Sequence, residues 1–254
     1  MNEQIALLSR LNDYHVVPLL GYCSERQGRQ LERLLVFECM TNGNLRECLD
    51  DLNRKPMDWA TRVGVALGAA RGLEYLHEAV APRILHRDIK STNILLDDRF
   101  TDLGMAKCLM NDGVTSCFSS PARMLGTFGY FAPEYAIVGK ASLKSDVFSF
   151  GVVLLELISG RKVMDVNASP SSIVAWALPL IGAGLARQVF DGRVAAPRPG
   201  TDAEAAIDRV LSVAARCVSE SVERRPAMAE VASELRGALE SGGWHRRGRD
   251  VVDR

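Results

Sequence analysis

Twelve consecutive residues, Val147 to Ile158, are apolar on nearly every face of the helix they would form, with only Ser149, Gly151 and Glu156 interrupting. A helix without a polar side belongs inside a core, and this one is too short to cross a bilayer, which takes about 20 residues. Whatever the chain folds into must therefore pack helices around that segment.

The sequence offers candidates for that packing. Asp58-Trp59 opens a helix that runs to about His77, with Asp58 placed to cap it. Val63, Ala66, Leu67, Ala70, Leu73 and Leu76 line one face, and Gly64, Gly68 and Gly72 recur every fourth residue, letting a neighbouring backbone approach. Arg62, Arg71 and Glu74 in the same segment argue for close packing in water rather than in lipid. From Ile173 on, two or three further helices are expected, the clearest from Ala203 to Val218 and from Pro226 to Leu239, with Pro226 at a first helical position.

Ahead of this helical body lies a small β-region. Ile5, Leu8 and Leu11 mark an amphipathic opening helix. Val16 to Cys23 and Leu34 to Met40 read as two strands separated by a polar loop, Ser24 to Arg33. A turn at residues 41–44 and a short helix carrying Leu45 and Leu49 follow. The expected class is α+β, with residues 1–40 as the small part, 41–240 as the helical part and a disordered basic tail over 241–254.

Charge balances at 31 basic against 31 acidic residues, which leaves neither nucleic acid nor an anionic membrane as the expected main partner. The uncharged run from Ser171 to Ala186 is broken by Pro179 and is too short for a membrane span. Cys23, Cys39, Cys48, Cys108, Cys117 and Cys217 form no C-x-x-C pair, so reduced thiols are expected and a zinc site is not. The residues after Met1 do not form a basic-then-apolar signal, and the chain as given is expected in the cytoplasm. His15, His77 and His245 read as surface or packing residues, and Trp59 and Trp176 as packing.

The chemistry concentrates between Leu85 and Leu96, where Asp88 is followed by Lys90 and Asn93 and then by an apolar, strand-like run. A carboxylate can orient a hydroxyl and take its proton, an ammonium can neutralise a phosphoryl oxygen, and an amide oxygen can ligate Mg²⁺. Taken alone, such a polar cluster could also be a solvated turn. Asp102-Leu103-Gly104, Gly126-Thr127-Phe128-Gly129-Tyr130 and Ala132-Pro133-Glu134 follow in that order, which chance does not readily supply.

With these motifs the chain resembles, from about residue 3 to residue 240, the plant receptor-like serine/threonine protein kinases. Leu19-Leu20-Gly21-Tyr22-Cys23, Ala69-Ala70-Arg71-Gly72-Leu73-Glu74-Tyr75-Leu76-His77 and Lys144-Ser145-Asp146-Val147-Phe148-Ser149-Phe150-Gly151 are typical of that group. Residues 101–108 and 130–134 are most similar to its NCRK subgroup. The resemblance implies a two-lobe kinase fold with ATP between the lobes, a nearly complete helical lobe and an incomplete β-lobe.

By the same resemblance Asp88 accepts the proton of a protein hydroxyl, Lys90 steadies the γ-phosphate, and Asn93 and Asp102 hold Mg²⁺. Adenine meets the main chain at Glu38 and Met40 and rests on Leu95, with Phe37 guarding the back of the pocket. Arg87 implies regulation by a phosphorylated residue, with Thr115, Ser116, Ser119 and Ser120 as candidate acceptors and Thr127 as a more structural position near the substrate. The plainer reading of those hydroxyls is a solvated loop. Glu134 with Arg225, and Asp146 with the catalytic loop, are implied scaffold pairs.

Two departures accompany the resemblance. No Lys precedes Lys55, and Gly21, Gly28 and Gly43 are too far apart to form a phosphate-covering loop, so the sequence begins after both parts of the family's ATP grip. The Glu expected in the opening helix falls on Gln4, with Glu3 one place away. Asp102 also follows Asp88 by 14 positions, about four fewer than the family pattern, and four extended residues reach about 13 Å. Such a loss should either move Asp102 or unravel the pairing of residues 93–96. Weak or absent ATP binding and poor solubility are expected for the chain alone. The expected function is a protein serine/threonine kinase acting on protein substrates in receptor-like signalling, with reduced activity. Alternatives are a non-catalytic fragment that binds partners or competes with a full-length receptor kinase, and an incomplete gene model of a receptor whose full-length relatives sit at the plasma membrane with the kinase domain facing the cytosol.

Overall fold

The computed structural model describes residues 2–27, 30–96, 106–108, 110, 115–116 and 126–244, with residues 2–4, 26–27, 30–33, 106–107 and 115–116 described by their backbone only. The apolar run lies within the fifth α-helix of the chain. The order is α1 (Asn2–Leu8), β1 (Leu19–Gln27), β2 (Gln30–Phe37), α2 (Leu45–Asp50), α3 (Trp59–Glu74), β3 (Ile84–Leu85), β4 (Ile94–Leu96), β5 (Ala106–Cys108), β6 (Thr115–Ser116), α4 (Pro133–Val138), α5 (Leu143–Ser159), α6 (Ile173–Gly182), α7 (Asp202–Cys217) and α8 (Met228–Ser241).

From Val147 to Ile158 every residue of α5 except Ser149 is buried, as a helix without a polar side requires. The packing around it brings α7 against α5, α8 against α7, and α3 against both α5 and α8. Each fully buried Leu or Phe in this body contributes roughly 1.5–3 kcal/mol. Close approach is bought by glycine where it is needed: a Cβ on Gly151 would lie 2.6 Å from Cys217 Cβ, and one on Gly72 would lie 2.5 Å from the His15 carbonyl oxygen.

Capping follows the sequence closely. Asp58 accepts the Thr61 N–H at 2.9 Å, and Ser142 and Ser145 form a reciprocal cap that starts α5. Gly160 closes α5 at φ +68, a conformation that suits glycine. After Glu74 the α3 helix widens by one residue, with the Val80 N–H donating to the Tyr75 carbonyl at 3.2 Å.

Two boundaries differ from the sequence expectation. The small sheet is one antiparallel hairpin in which β1 and β2 run into the stretch read as a loop, and β2 ends at Phe37 rather than Met40. Backbone pairing carries strands through polar residues when both neighbours are extended, which composition alone does not reveal. Pro226 precedes α8 by two positions, because Ala227 takes the cap and Met228 the first helical place. At the end of the chain α8 continues to Ser241 and Trp244 packs against the core, while residues 245–254, His245 included, lie outside the described residues.

Candidate active site

The site lies between β3 and β4. β3 ends at Leu85, β4 begins at Ile94, and residues 86–93 connect them. That connection is held at one end by Asp146 on α5, whose Oδ2 accepts the His86 N–H and whose Oδ1 accepts the Arg87 N–H, both at 2.8 Å. His77 Nε2 lies 3.0 Å from the same Oδ2. Burial pushes the Asp146 carboxyl up, but the contact with His77 and the nearby His86 outweigh it and hold the group below its ordinary value. Arg87 sits at φ +69, a left-handed conformation that costs a non-glycine residue roughly 1–2 kcal/mol, and the two amide bonds to Asp146 hold it there.

The floor is a second polar network. Glu156, fully buried on α5, accepts hydrogen bonds from Tyr130 Oη at 2.7 Å, Ser91 Oγ at 3.1 Å and Arg46 Nη1 at 3.1 Å. Burial raises its carboxyl above the ordinary value, with Tyr130, Arg46 and Ser91 acting in the opposite sense. Ser91 follows Lys90 directly, so this network fixes the loop to the central helix from below. Glu156 was visible in the sequence only as an interruption of an apolar run. A lone carboxylate in such a run needs polar partners, and that need was the available signal.

Four side chains converge above this floor. Thr127 Oγ1 donates to Asp88 Oδ1 at 2.8 Å, Lys90 Nζ donates to Thr127 Oγ1 at 2.9 Å, and Lys90 Nζ is 2.9 Å from Asp88 Oδ2. Asn93 Nδ2 donates to the Asp88 carbonyl at 2.8 Å and to Asp88 Oδ2 at 3.1 Å. With its NH₂ committed to Asp88, Asn93 presents its amide oxygen to the opposite side. Thr127 reaches in because Gly126 adopts φ +126, where a Cβ would stand 2.8 Å from the Arg87 carbonyl oxygen. Asp88, Lys90 and Asn93 are thus brought together as the spacing implied, and Thr127 is more than a structural neighbour: it bridges the acid and the ammonium.

The other sequence candidates fall around this centre. Glu38 and Met40 follow β2, with the Glu38 N–H donated to the Pro18 carbonyl at 3.1 Å and the Met40 carbonyl accepting from Gly43 N–H at 3.5 Å. Phe37 is half-buried against the core, and Leu95, also half-buried, pairs with Lys107 on β5. Arg87 is buried, and its Nη2 donates to Tyr135 Oη at 3.3 Å. Thr115 and Ser116 form β6, paired with Leu85 and Ile84, where a polar loop was expected. Asp102, Ser119 and Ser120 lie outside the described residues, as do the side chains of Glu3 and Gln4. Arg225, buried beneath α4, donates to Glu134 Oε1 at 2.7 Å and Oε2 at 2.8 Å, the implied scaffold pair.

Comparison with known proteins points the same way. A family model for protein tyrosine and serine/threonine kinases matches residues 1–235. The chain is 55% identical to the receptor-like serine/threonine-protein kinase NCRK of Arabidopsis thaliana, over 92% of this chain and 42% of that protein. It is 44% identical to the proline-rich receptor-like protein kinase PERK8 of the same plant, over 91% of this chain and 34% of the relative. With the probable serine/threonine-protein kinase PBL23, also from Arabidopsis thaliana, identity is 42% over 91% of this chain and 60% of the relative. The chain therefore spans from about a third to three fifths of the length of these relatives.

Proposed function

The chain belongs to the protein tyrosine and serine/threonine kinase family, and from that premise we propose that it transfers the γ-phosphate of ATP to serine or threonine hydroxyls of protein substrates. Its relatives are plant receptor-like and related serine/threonine kinases, and the family uses ATP and Mg²⁺. The observation that carries the reading is the hydrogen-bonded set Asp88, Lys90, Asn93 and Thr127.

In this reading a substrate hydroxyl replaces Thr127 Oγ1 as a partner of Asp88, which orients it and takes its proton as the new bond to the γ-phosphorus forms and the bond from that phosphorus to the ADP oxygen breaks, releasing ADP. Lys90 Nζ, already within 2.9 Å of Asp88, balances charge on the transferring phosphoryl oxygens. Adenine is assigned to the backbone at Glu38 and Met40 and to the side chain of Leu95. Mg²⁺, when bound, supplies charge neutralisation on the phosphates, and Asn93 Oδ1 is the described donor suited to it. Thr115, Ser116, Ser119 and Ser120 are proposed phosphate acceptors whose modification is read by Arg87.

Among the described residues no helix is long and apolar enough to cross a membrane. The partner proposed with this activity is a protein substrate; a full-length receptor kinase is the partner of the alternative reading, in which the chain binds or competes without catalysis. The test is transfer from γ-labelled ATP to a generic basic protein, run beside Asp88→Asn. Transfer lost in the variant is expected, and equal labelling in both would refute the assignment.

A further inference from the structure

Helix α2 is only 6 residues long, yet its start is held by side chain and backbone alike. Asn44 Oδ1 accepts the Glu47 N–H and Glu47 Oε2 accepts the Asn44 N–H, both at 3.0 Å, while Leu45 and Leu49 are buried. The turn before it is tied to β4: the Leu96 N–H donates to the Gly43 carbonyl at 3.0 Å, and Asn44 forms a bridge with Leu95. Arg46 therefore extends from a fixed base.

Its guanidinium uses the whole fork. Nε and Nη2 donate to Asp50 at 3.1 and 2.9 Å, Nη2 donates to the Gly160 carbonyl at 3.2 Å, and Nη1 donates to the Arg161 carbonyl at 3.0 Å and to Glu156 Oε1 at 3.1 Å. Gly160 caps α5 and Glu156 lies in its last turn, so a cation here offsets the negative end of the helix dipole as well as the carboxylate. Arginine has no acceptor atom, so the oxygen facing it must accept. That same oxygen accepts the Ser91 hydroxyl at 3.1 Å. Without Arg46 the fully buried Glu156 carboxyl, which burial already pushes towards its protonated form, keeps only two hydroxyl donors, from Ser91 and Tyr130. A proton on Oε1 would then turn Ser91 from donor to acceptor.

The loop of residues 86–93 thus has two anchors on α5. Asp146 holds the His86 and Arg87 amides beside Asp88, and Glu156 holds Ser91 beside Lys90. The interval between these anchors sets where Lys90 Nζ stands relative to the Asp88 carboxylate, now 2.9 Å away. Transfer chemistry tolerates little error there, since a misplacement of about 1 Å can cost about 100-fold in rate. We propose that Arg46 is a positioning residue for phosphate transfer, acting through Glu156 and Ser91 to hold Lys90 and Asn93 in register with Asp88. The proposal rests on the kinase reading of the site.

The test is steady-state transfer from γ-labelled ATP to a basic protein by the natural chain, Arg46→Met and Arg46→Lys, with amide hydrogen exchange of residues 86–93 followed in each. Arg46→Met should lower kcat by about 10- to 100-fold while KM for ATP and for the protein stays within about 3-fold of the natural value. Arg46→Lys keeps the charge without the fork and should regain about 3-fold or more of that loss. Exchange over 86–93 should quicken by about 10-fold in Arg46→Met. A kcat within about 2-fold of natural in Arg46→Met, or Arg46→Lys no better than Arg46→Met, would overturn the proposal. Should Arg46→Met not fold, a double-mutant cycle of Arg46→Lys with Ser91→Ala decides: non-additive losses in kcat support the shared path, and additive losses overturn it. No Asp88-dependent transfer by the natural chain would remove the kinase reading instead. The exchange measurement then decides whether Arg46 holds the loop, and unchanged exchange overturns that as well.

Discussion

Replacing Asp191 by Asn tests the packing that holds the helical body together. The Asp191 carboxylate accepts from Arg62 Nη2 at 2.7 Å, and from Arg193 Nη2 at 2.8 Å and Nε at 3.0 Å. Arg62 on α3 is 2% exposed and Asp191 is 4% exposed, and Arg62 also donates to the Met57 carbonyl at 3.0 Å and to the Leu157 carbonyl on α5. Burial pushes the Asp191 carboxyl up, but hydrogen bonds from Arg193 and Arg62 bring it down from 3.8 to about 2. At roughly 1.4 kcal/mol per unit, the lowered acidity contributes about 2 kcal/mol of stability at neutral pH.

The sign follows from the direction of the shift. A depressed folded-state value means the contribution is complete above the ordinary value near 3.8 and disappears as pH falls towards about 2. Asn retains one acceptor oxygen but leaves Arg62 buried without its counter-charge, so the loss at pH 7 should sit near the low end of the range for a broken buried pair, about 3 kcal/mol. In a chain of this size that corresponds to a Tm lower by roughly 6–12 °C. Denaturant unfolding of both proteins from pH 7 to pH 3 gives the difference directly, which should narrow by about 1 kcal/mol at the acid end. A difference below about 1 kcal/mol at pH 7, or one that does not change with pH, would refute the reasoning.

Other expectations follow from single contacts. Gly151→Ala should destabilise by about 1–3 kcal/mol, because its Cβ would meet Cys217 Cβ at 2.6 Å and Val218 Cγ1 at 2.8 Å, and a lowered denaturation midpoint with an unchanged m-value is the signature. Thr127→Val should reduce phosphotransfer by about 10-fold or more while leaving Tm nearly unchanged, and Thr127→Ser should restore most of it. Equal rates for the Val and Ser variants would show that the bridging hydroxyl has no part in positioning.

Much of the helical body was legible in the sequence, because it depends on local patterns. The all-apolar run became α5, Asp58 became a cap, and the Gly72 position became a close crossing with the residue 15 backbone. Asp88, Lys90 and Asn93 met as their spacing implied, since one short loop between two strands carries all three. The extent of the β1–β2 hairpin was less legible, because ladder hydrogen bonds are indifferent to side-chain polarity. The Thr127 bridge and the Glu156 floor join residues distant in sequence, and only their convergence on the loop of residues 86–93 reveals them. The shortened stretch before Asp102 was visible as a missing length. That residues 106–108 pair with β4 was not legible, because register is set by tertiary contacts that the motif does not contain.

The most direct measurement is the rate of phosphate transfer from γ-labelled ATP to a basic protein by the natural chain and by its Asp88→Asn variant. Slow transfer by the natural chain and none above background in the Asp88→Asn variant is the expected result. Labelling that persists in the Asp88→Asn variant, or no Asp88-dependent transfer by the natural chain, would contradict a phosphotransfer centre built on Asp88, Lys90, Asn93 and Thr127.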